Sequence, residues 1–215
     1  MDELTFFIVG KTGNGKSSVG NLILGKRKFQ VSTSRASETT RMSQAVGVVN
    51  GEQIKVVDTP DPVNLNLSKT EISAEVARWK SLAVDKFAIL LAVRCDVSYT
   101  AEEYDIYKKI KRAWGDNSFT SHLVVFFTFG DRQDRDIHEE LKTVCWELRS
   151  VLADAGNRYV IFNNRAHNNE SQKRKLMEYA RAPVVPPPYI NLISKPLLLI
   201  ILVSIIVTWF IRGTW

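Results

Sequence analysis

Short apolar runs alternate along the chain with longer stretches in which apolar residues recur every three or four positions. Leu4–Val9 is one such run, and residues 53–57, 87–93 (FAILLAV), Leu123–Thr128 and 159–162 are others. Runs this short and this apolar fit strands of a sheet covered on both faces. Residues 45–49 and 53–57 flank Asn50-Gly51, a strong hairpin signal, so one strand is expected to run antiparallel. The helical period returns at Lys16–Leu24, 68–84, 100–114, 137–153 and 168–181. The stretch at 100–114 opens T-A-E-E, a capping-box signature. The alternation predicts an α/β domain with about six mostly parallel strands and helices on both faces.

The pattern changes at the end of the chain. Residues 183–195 are proline-rich, and 196–211 (PLLLIILVSIIVTWFI) form an uncharged run between Lys195 and Arg212. A helix over that run spans about 24 Å, short of a hydrocarbon core of about 30 Å. Snorkelling of Lys195 and Arg212, with Trp209 and Trp215 at the headgroup level, closes the difference. The expected organisation is therefore a domain at 1–182, a linker at 183–195 and a C-terminal transmembrane tail anchor at 196–211. That arrangement leaves the N-terminal domain on the cytosolic face of the endoplasmic reticulum or another internal membrane.

Composition is that of a globular protein, with 45% apolar and 24% charged residues. The net charge of +6 brings no basic stripe interleaved with aromatics, so nucleic acid is not an expected partner. Cys95 and Cys145 are not in metal-ligand spacing and fit a reduced compartment. The three histidines are isolated, with no paired nucleophile. Trp79, Trp114 and Trp146 occupy helical positions and read as packing residues.

Directly after the first apolar run stands GKTGNGKSS, residues 10–18, which contains the phosphate-binding pattern G-x-x-x-x-G-K-S. Gly10, Gly13 and Gly15 give the backbone the freedom to bring its N–H groups against phosphate oxygens. Lys11, Thr12, Asn14 and Ser18 share that loop. Lys16 is placed to reach the β- and γ-phosphates, and Ser17 offers a hydroxyl to Mg²⁺. Three polar stretches follow other strands and fall on the same sheet edge: Asp58-Thr59-Pro60, Thr128-Phe129-Gly130-Asp131 and Asn163-Asn164-Arg165. Asp58 is a candidate metal ligand; the others are candidate base and ribose contacts.

These blocks, with SETT, LLAVRCDVSYTAEE and RYVIFNNRA in the same order and spacing, resemble the immunity-associated GTPases (the GIMAP family). That family lies in the septin- and chloroplast-import-receptor-like branch of P-loop GTPases. The resemblance covers roughly residues 4 to 180. It implies GTP/GDP and Mg²⁺ as ligands. Asp131 would accept from the guanine N1–H and exocyclic amine, and Asn163 would lie against the base with Asn164 beside it. Thr39, with Thr40 as its rival, would be the switch threonine over Mg²⁺ and the γ-phosphate; Lys16 and Thr39 would serve any catalysis.

The pattern departs from the family at Asp61, where D-T-P-G is usual, and at Phe129, where a lysine or arginine is usual. No glutamine follows Asp61 to orient an attacking water. The resemblance thus carries guanine-nucleotide binding further than hydrolysis. The expectation is a membrane-anchored switch whose hydrolysis is slow or depends on assembly with a second copy through the G domain. The alternative is a non-hydrolysing membrane scaffold with a degenerate G domain.

Overall fold

A computed structural model describes residues 3–31, 41–83, 86–132, 136–162 and 170–182, all within a compact unit spanning Met1–Val184. The linker and the apolar tail lie outside the described residues, as do Thr39, Thr40, Asn163 and Asn164. Among the described residues, no helix is long and apolar enough to cross a membrane.

Six strands form one sheet: β1 (Leu4–Val9), β2 (Ser43–Val49), β3 (Glu52–Asp58), β4 (Lys86–Arg94), β5 (Leu123–Thr128) and β6 (Tyr159–Ile161). Their order is β2-β3-β1-β4-β5-β6. Only β2 runs antiparallel, paired with β3 from Ser43 opposite Asp58 to Val49 opposite Glu52. Asn50 (φ 52°) and Gly51 (φ 82°) take the positive φ values that this hairpin turn requires.

Strand alternation divides the core in two. Phe7 and Val9 of β1 join Ile89, Leu91 and Val93 of β4 on one face, under helices α2 (Lys69–Lys80), α3 (Ala101–Trp114) and α6 (Trp146–Asp154). Phe6 and Ile8 join Leu90 and Ala92 on the other, under α1 (Lys16–Leu24) and α7 (Glu170–Arg181). Period-two geometry sends neighbouring residues to opposite faces. A strand covered twice must therefore be apolar throughout, as FAILLAV is.

Both long helices on the first face begin with complete capping boxes. Ser68 and Glu71 satisfy each other's backbone N–H groups at the start of α2, and Thr100 and Glu103 do so at the start of α3. Helix α2 ends at Lys80, short of the expected 84, in tight turns from Leu82 to Trp79 and from Ala83 to Lys80. The expected continuous helix over 137–153 is broken into α5 (Ile137–Glu140) and α6. Thr143 donates both its N–H and its hydroxyl back to the Glu140 carbonyl, closing a turn that stops the first segment. Trp79 and Trp114 are buried as packing residues, whereas Trp146 at the start of α6 is 64% exposed, against its expected role.

A further short helix, α4 (Asp116–His122), has no counterpart in the sequence-based expectation. Its last residue stacks its imidazole on Phe87, with ring centroids 4.0 Å apart. The Ser118 carbonyl lies 2.9 Å from Nδ1 and can only accept, so Nδ1 carries the hydrogen. Burial holds the His122 pKa below its ordinary value of 6.5. Below that value the unfolded chain binds a proton that the folded chain resists, so the unfolding free energy falls as pH falls. Urea unfolding at pH 7.5 and pH 5.5 should show this loss, and His122→Asn should reduce it. An unchanged difference between the two pH values in the variant would contradict the assignment.

Candidate functional site

The carboxyl ends of β1, β3, β4 and β5 converge on the loop at Gly10–Ser17. Gly10 has φ +132°, and a Cβ there would meet the Ala92 carbonyl oxygen at 2.8 Å. The loop thus leaves β1 flush against the end of β4, where only glycine fits. Gly15 (φ 82°) precedes α1 without a side-chain cap, so the first N–H groups of that helix face the loop interior.

Neighbouring strands hold the loop from below. Asn14, 4% exposed, donates its amide to the Ala92 carbonyl at 2.9 Å and to Glu103 Oε1 at 2.8 Å. Glu103 therefore does two jobs: it closes the capping box of α3 with one oxygen and steadies the loop with the other. Lys11 pairs with Glu102 of the same helix turn. Thr128 is fully buried, and its hydroxyl donates to the Asn14 carbonyl at 3.0 Å and lies 3.3 Å from that of Val93. Those bonds commit Thr128 to shaping the loop.

Lys16 curls back over this frame. Its Nζ donates to the carbonyls of Gly10 at 2.9 Å and Lys11 at 3.2 Å. Burial pushes its pKa down, opposed by the carboxylates of Asp58 and Asp61. Ser17 Oγ donates to Asp58 Oδ2 at 2.6 Å. Asp58 Oδ1 is buried and has no hydrogen-bond partner among the described residues; burial raises the pKa of this carboxyl, against the pull of Ser17 and Lys16. Leaving a carboxylate oxygen buried and unmatched is unfavourable. A divalent cation between Ser17 and Asp58 would satisfy it, so these residues fit Mg²⁺ chemically. Among the described residues, no group of three or more His, Cys, Asp or Glu is placed to hold a metal ion.

At the far side of the loop, Thr128 leads through Phe129 (φ 62°) into a single 3₁₀ turn, Gly130–Arg132, which carries Asp131. The Gly130 N–H donates to the Phe162 carbonyl and the Phe162 N–H to Phe127. The segment leading to Asn163 is thereby anchored beside the turn that carries Asp131. Phe129 lies under the Arg94 guanidinium at 4.6 Å from the ring centroid, and a Cβ on Gly15 would lie 3.7 Å from that ring. Arg94 is held bidentately by Asp96, at 2.8 and 2.7 Å, which raises its pKa.

Of the residues expected from sequence, the structure brings the loop from Gly10 to Ser18, Asp58, Thr128 and Asp131 to one sheet edge. Two participants were not expected. Glu103 was visible only as a helix cap. Asp61, 3% exposed, accepts the Thr12 N–H at 2.8 Å; its signal was the irregular D-T-P-D, but its partner was not legible.

The profile of the AIG1 family matches residues 4–184. Immune-associated nucleotide-binding protein 9 of Arabidopsis thaliana is 34% identical over 188 residues, covering 84% of this chain and 55% of that protein. GTPase IMAP family member 8 of Homo sapiens is 26% identical over 181 residues, covering 84% of this chain and 27% of that protein. The chain spans about half the length of the plant relatives it matches. In fold it is similar to Toc33 from Arabidopsis thaliana in complex with Mg²⁺ and GMPPNP. That similarity has a TM-score of 0.60 at 19% identity and covers 84% of this chain and 85% of Toc33.

Proposed function

This chain belongs to the AIG1 family of GTPases, and we propose that its domain binds GTP and GDP with Mg²⁺ and acts as a membrane-anchored switch. The observation that carries the reading is the convergence of three groups on one edge: the buried ammonium of Lys16, the Ser17–Asp58 pair with its unmatched oxygen, and Asp131. Lys16 and the loop N–H groups bind the phosphates; Ser17 and Asp58 hold Mg²⁺, which neutralises phosphate charge when bound. Asp131 selects the purine, because adenine would leave the carboxylate without its two donors. Asn163 and Asn164, which follow Phe162 in the chain, are proposed as base contacts, and Thr39 is proposed to complete the site over the γ-phosphate.

The experiment is a fluorescent-nucleotide titration of the purified protein. GTP and GDP should bind and ATP should not. Asp131→Asn should lower guanine-nucleotide affinity by about a hundredfold or more and favour xanthine nucleotides, whose extra carbonyl can accept from the new amide. Equal binding of ATP and GTP would overturn the guanine assignment.

Hydrolysis is proposed to be slow in the isolated domain. Pro62 follows Asp61, so no side-chain amide stands there to orient water. Dimerization is important for the GTPase activity of the chloroplast translocon components atToc33 and psToc159, whose structure shares this fold. Assembly of two copies through the G domain is the corresponding proposal here, favoured by confinement to a surface. The apolar run at 196–211 is the proposed anchor, placing the domain on the cytosolic face of the endoplasmic reticulum or another internal membrane.

A further inference from the structure

Asp61 is an anion placed in a loop built for anions. Its Oδ2 accepts the Thr12 N–H at 2.8 Å, so one donor of the phosphate-binding loop is already engaged. Its Oδ1 accepts the N–H groups of Val63 at 3.0 Å and Asn64 at 3.2 Å, which fixes the turn that follows Asp58-Thr59-Pro60. Thr59 is fully buried and pins the start of that turn to β1, its hydroxyl donating to the Ile8 carbonyl at 2.8 Å. The carboxylate is therefore not a solvated surface charge that has drifted near the site. It is buried, bonded through both oxygens, and close enough to Lys16 to interact with its ammonium.

We propose that Asp61 is a resident counter-anion that makes this site favour the nucleoside diphosphate over the triphosphate. The inference rests on the guanine-nucleotide reading above. The α1 end of the loop, with its N–H groups and Ser17, is free of Asp61 and can hold the distal phosphate of GDP. A third phosphate must share the charge of Lys16 with a carboxylate that already holds Thr12. In a site this dry the repulsion is poorly screened. The triphosphate enters only when Asp61 releases Thr12 and the turn at 61–64 withdraws, so Asp61 couples the identity of the nucleotide to the position of that turn. A glycine at this position would leave the Thr12 N–H open and add no charge.

Two substitutions separate the charge from the hydrogen bond. Asp61→Asn keeps an oxygen that can accept from Thr12 or Val63 but removes the charge; Asp61→Ala removes both. The chain of 215 residues, stripped of nucleotide and kept in detergent with Mg²⁺, is titrated with fluorescent GDP and fluorescent GMPPNP. The wild-type protein should bind GDP at least about tenfold more tightly, and both variants should reduce that ratio by about tenfold or more. Saturable GDP binding by both variants shows that they are folded. A wild-type protein that binds GMPPNP as tightly as GDP overturns the proposal without reference to any variant. Ratios unchanged in both variants, with GDP still bound, overturn it as well. Failure of the wild-type protein to bind GDP at all overturns the guanine-nucleotide reading, and this inference with it.

Discussion

Lys16→Ala is expected to lower guanine-nucleotide affinity by a hundredfold or more while leaving the folded domain about as stable as before. The side chain is 6% exposed, and among the described residues its ammonium donates to two carbonyls, those of Gly10 and Lys11. Burying the cation is unfavourable, and the pKa of Lys16 is depressed by it even against the carboxylates of Asp58 and Asp61. Alanine relieves that desolvation and leaves two carbonyls short of one donor each, so the two effects oppose each other. Nucleotide affinity has no such offset. The ammonium is a buried positive charge within the loop, and charge-assisted bonds to phosphate are the strong ones. Thermal unfolding with and without GDP separates the two effects. At a ligand concentration about a hundred times its Kd, the wild-type protein gains about 2.7 kcal/mol, and the variant should gain almost nothing. Equal stabilisation of both proteins by GDP would remove Lys16 from the phosphate site.

The largest expected loss of stability comes from a residue outside the site. Arg158 is 5% exposed and lies just before β6. Its guanidinium donates to five main-chain carbonyls: Ala155 at 3.1 Å, Tyr179 at 3.3 Å, Ala182 at 3.2 Å, Thr120 at 3.4 Å and Ser121 at 2.8 Å. These belong to the end of α4, the turn after α6 and the end of α7. Carbonyls at helix ends have no partner within the helix, and the planar fork of arginine supplies several donors at once. Arg158→Met should destabilise the domain by about 3–5 kcal/mol, since it leaves several such carbonyls buried without donors. Arg158→Lys should recover only part of that, because an ammonium cannot span the same five acceptors. Urea unfolding measures both, and a loss below about 1 kcal/mol for Arg158→Met would refute the role given to this network.

Much of the architecture was legible because its signals are local. The continuous apolar strands, the Asn50-Gly51 turn and the capping box at Thr100–Glu103 each occupy a few consecutive residues, and each appears where it was expected. The helix over 137–153 was misjudged for the same reason. Its apolar spacing continues through the break, but the turn at Thr143 depends on where the chain must next pack.

The chain alone was enough to specify the glycine-rich loop after β1, the succession of the six strands, and the sheet edge to which that loop, Asp58 and Asp131 are brought. All of these are written in contiguous residues or in a repeat of two or about four positions. Folding in three dimensions decided which distant groups meet. Glu103 steadies Asn14 across 89 positions, Thr128 reaches the Asn14 carbonyl across 114, and Asp61 takes the Thr12 N–H across 49. No local pattern encodes such pairings, because a hydrogen bond depends on position to within a few tenths of an ångström, and the packing of helices on both faces of the sheet sets that position.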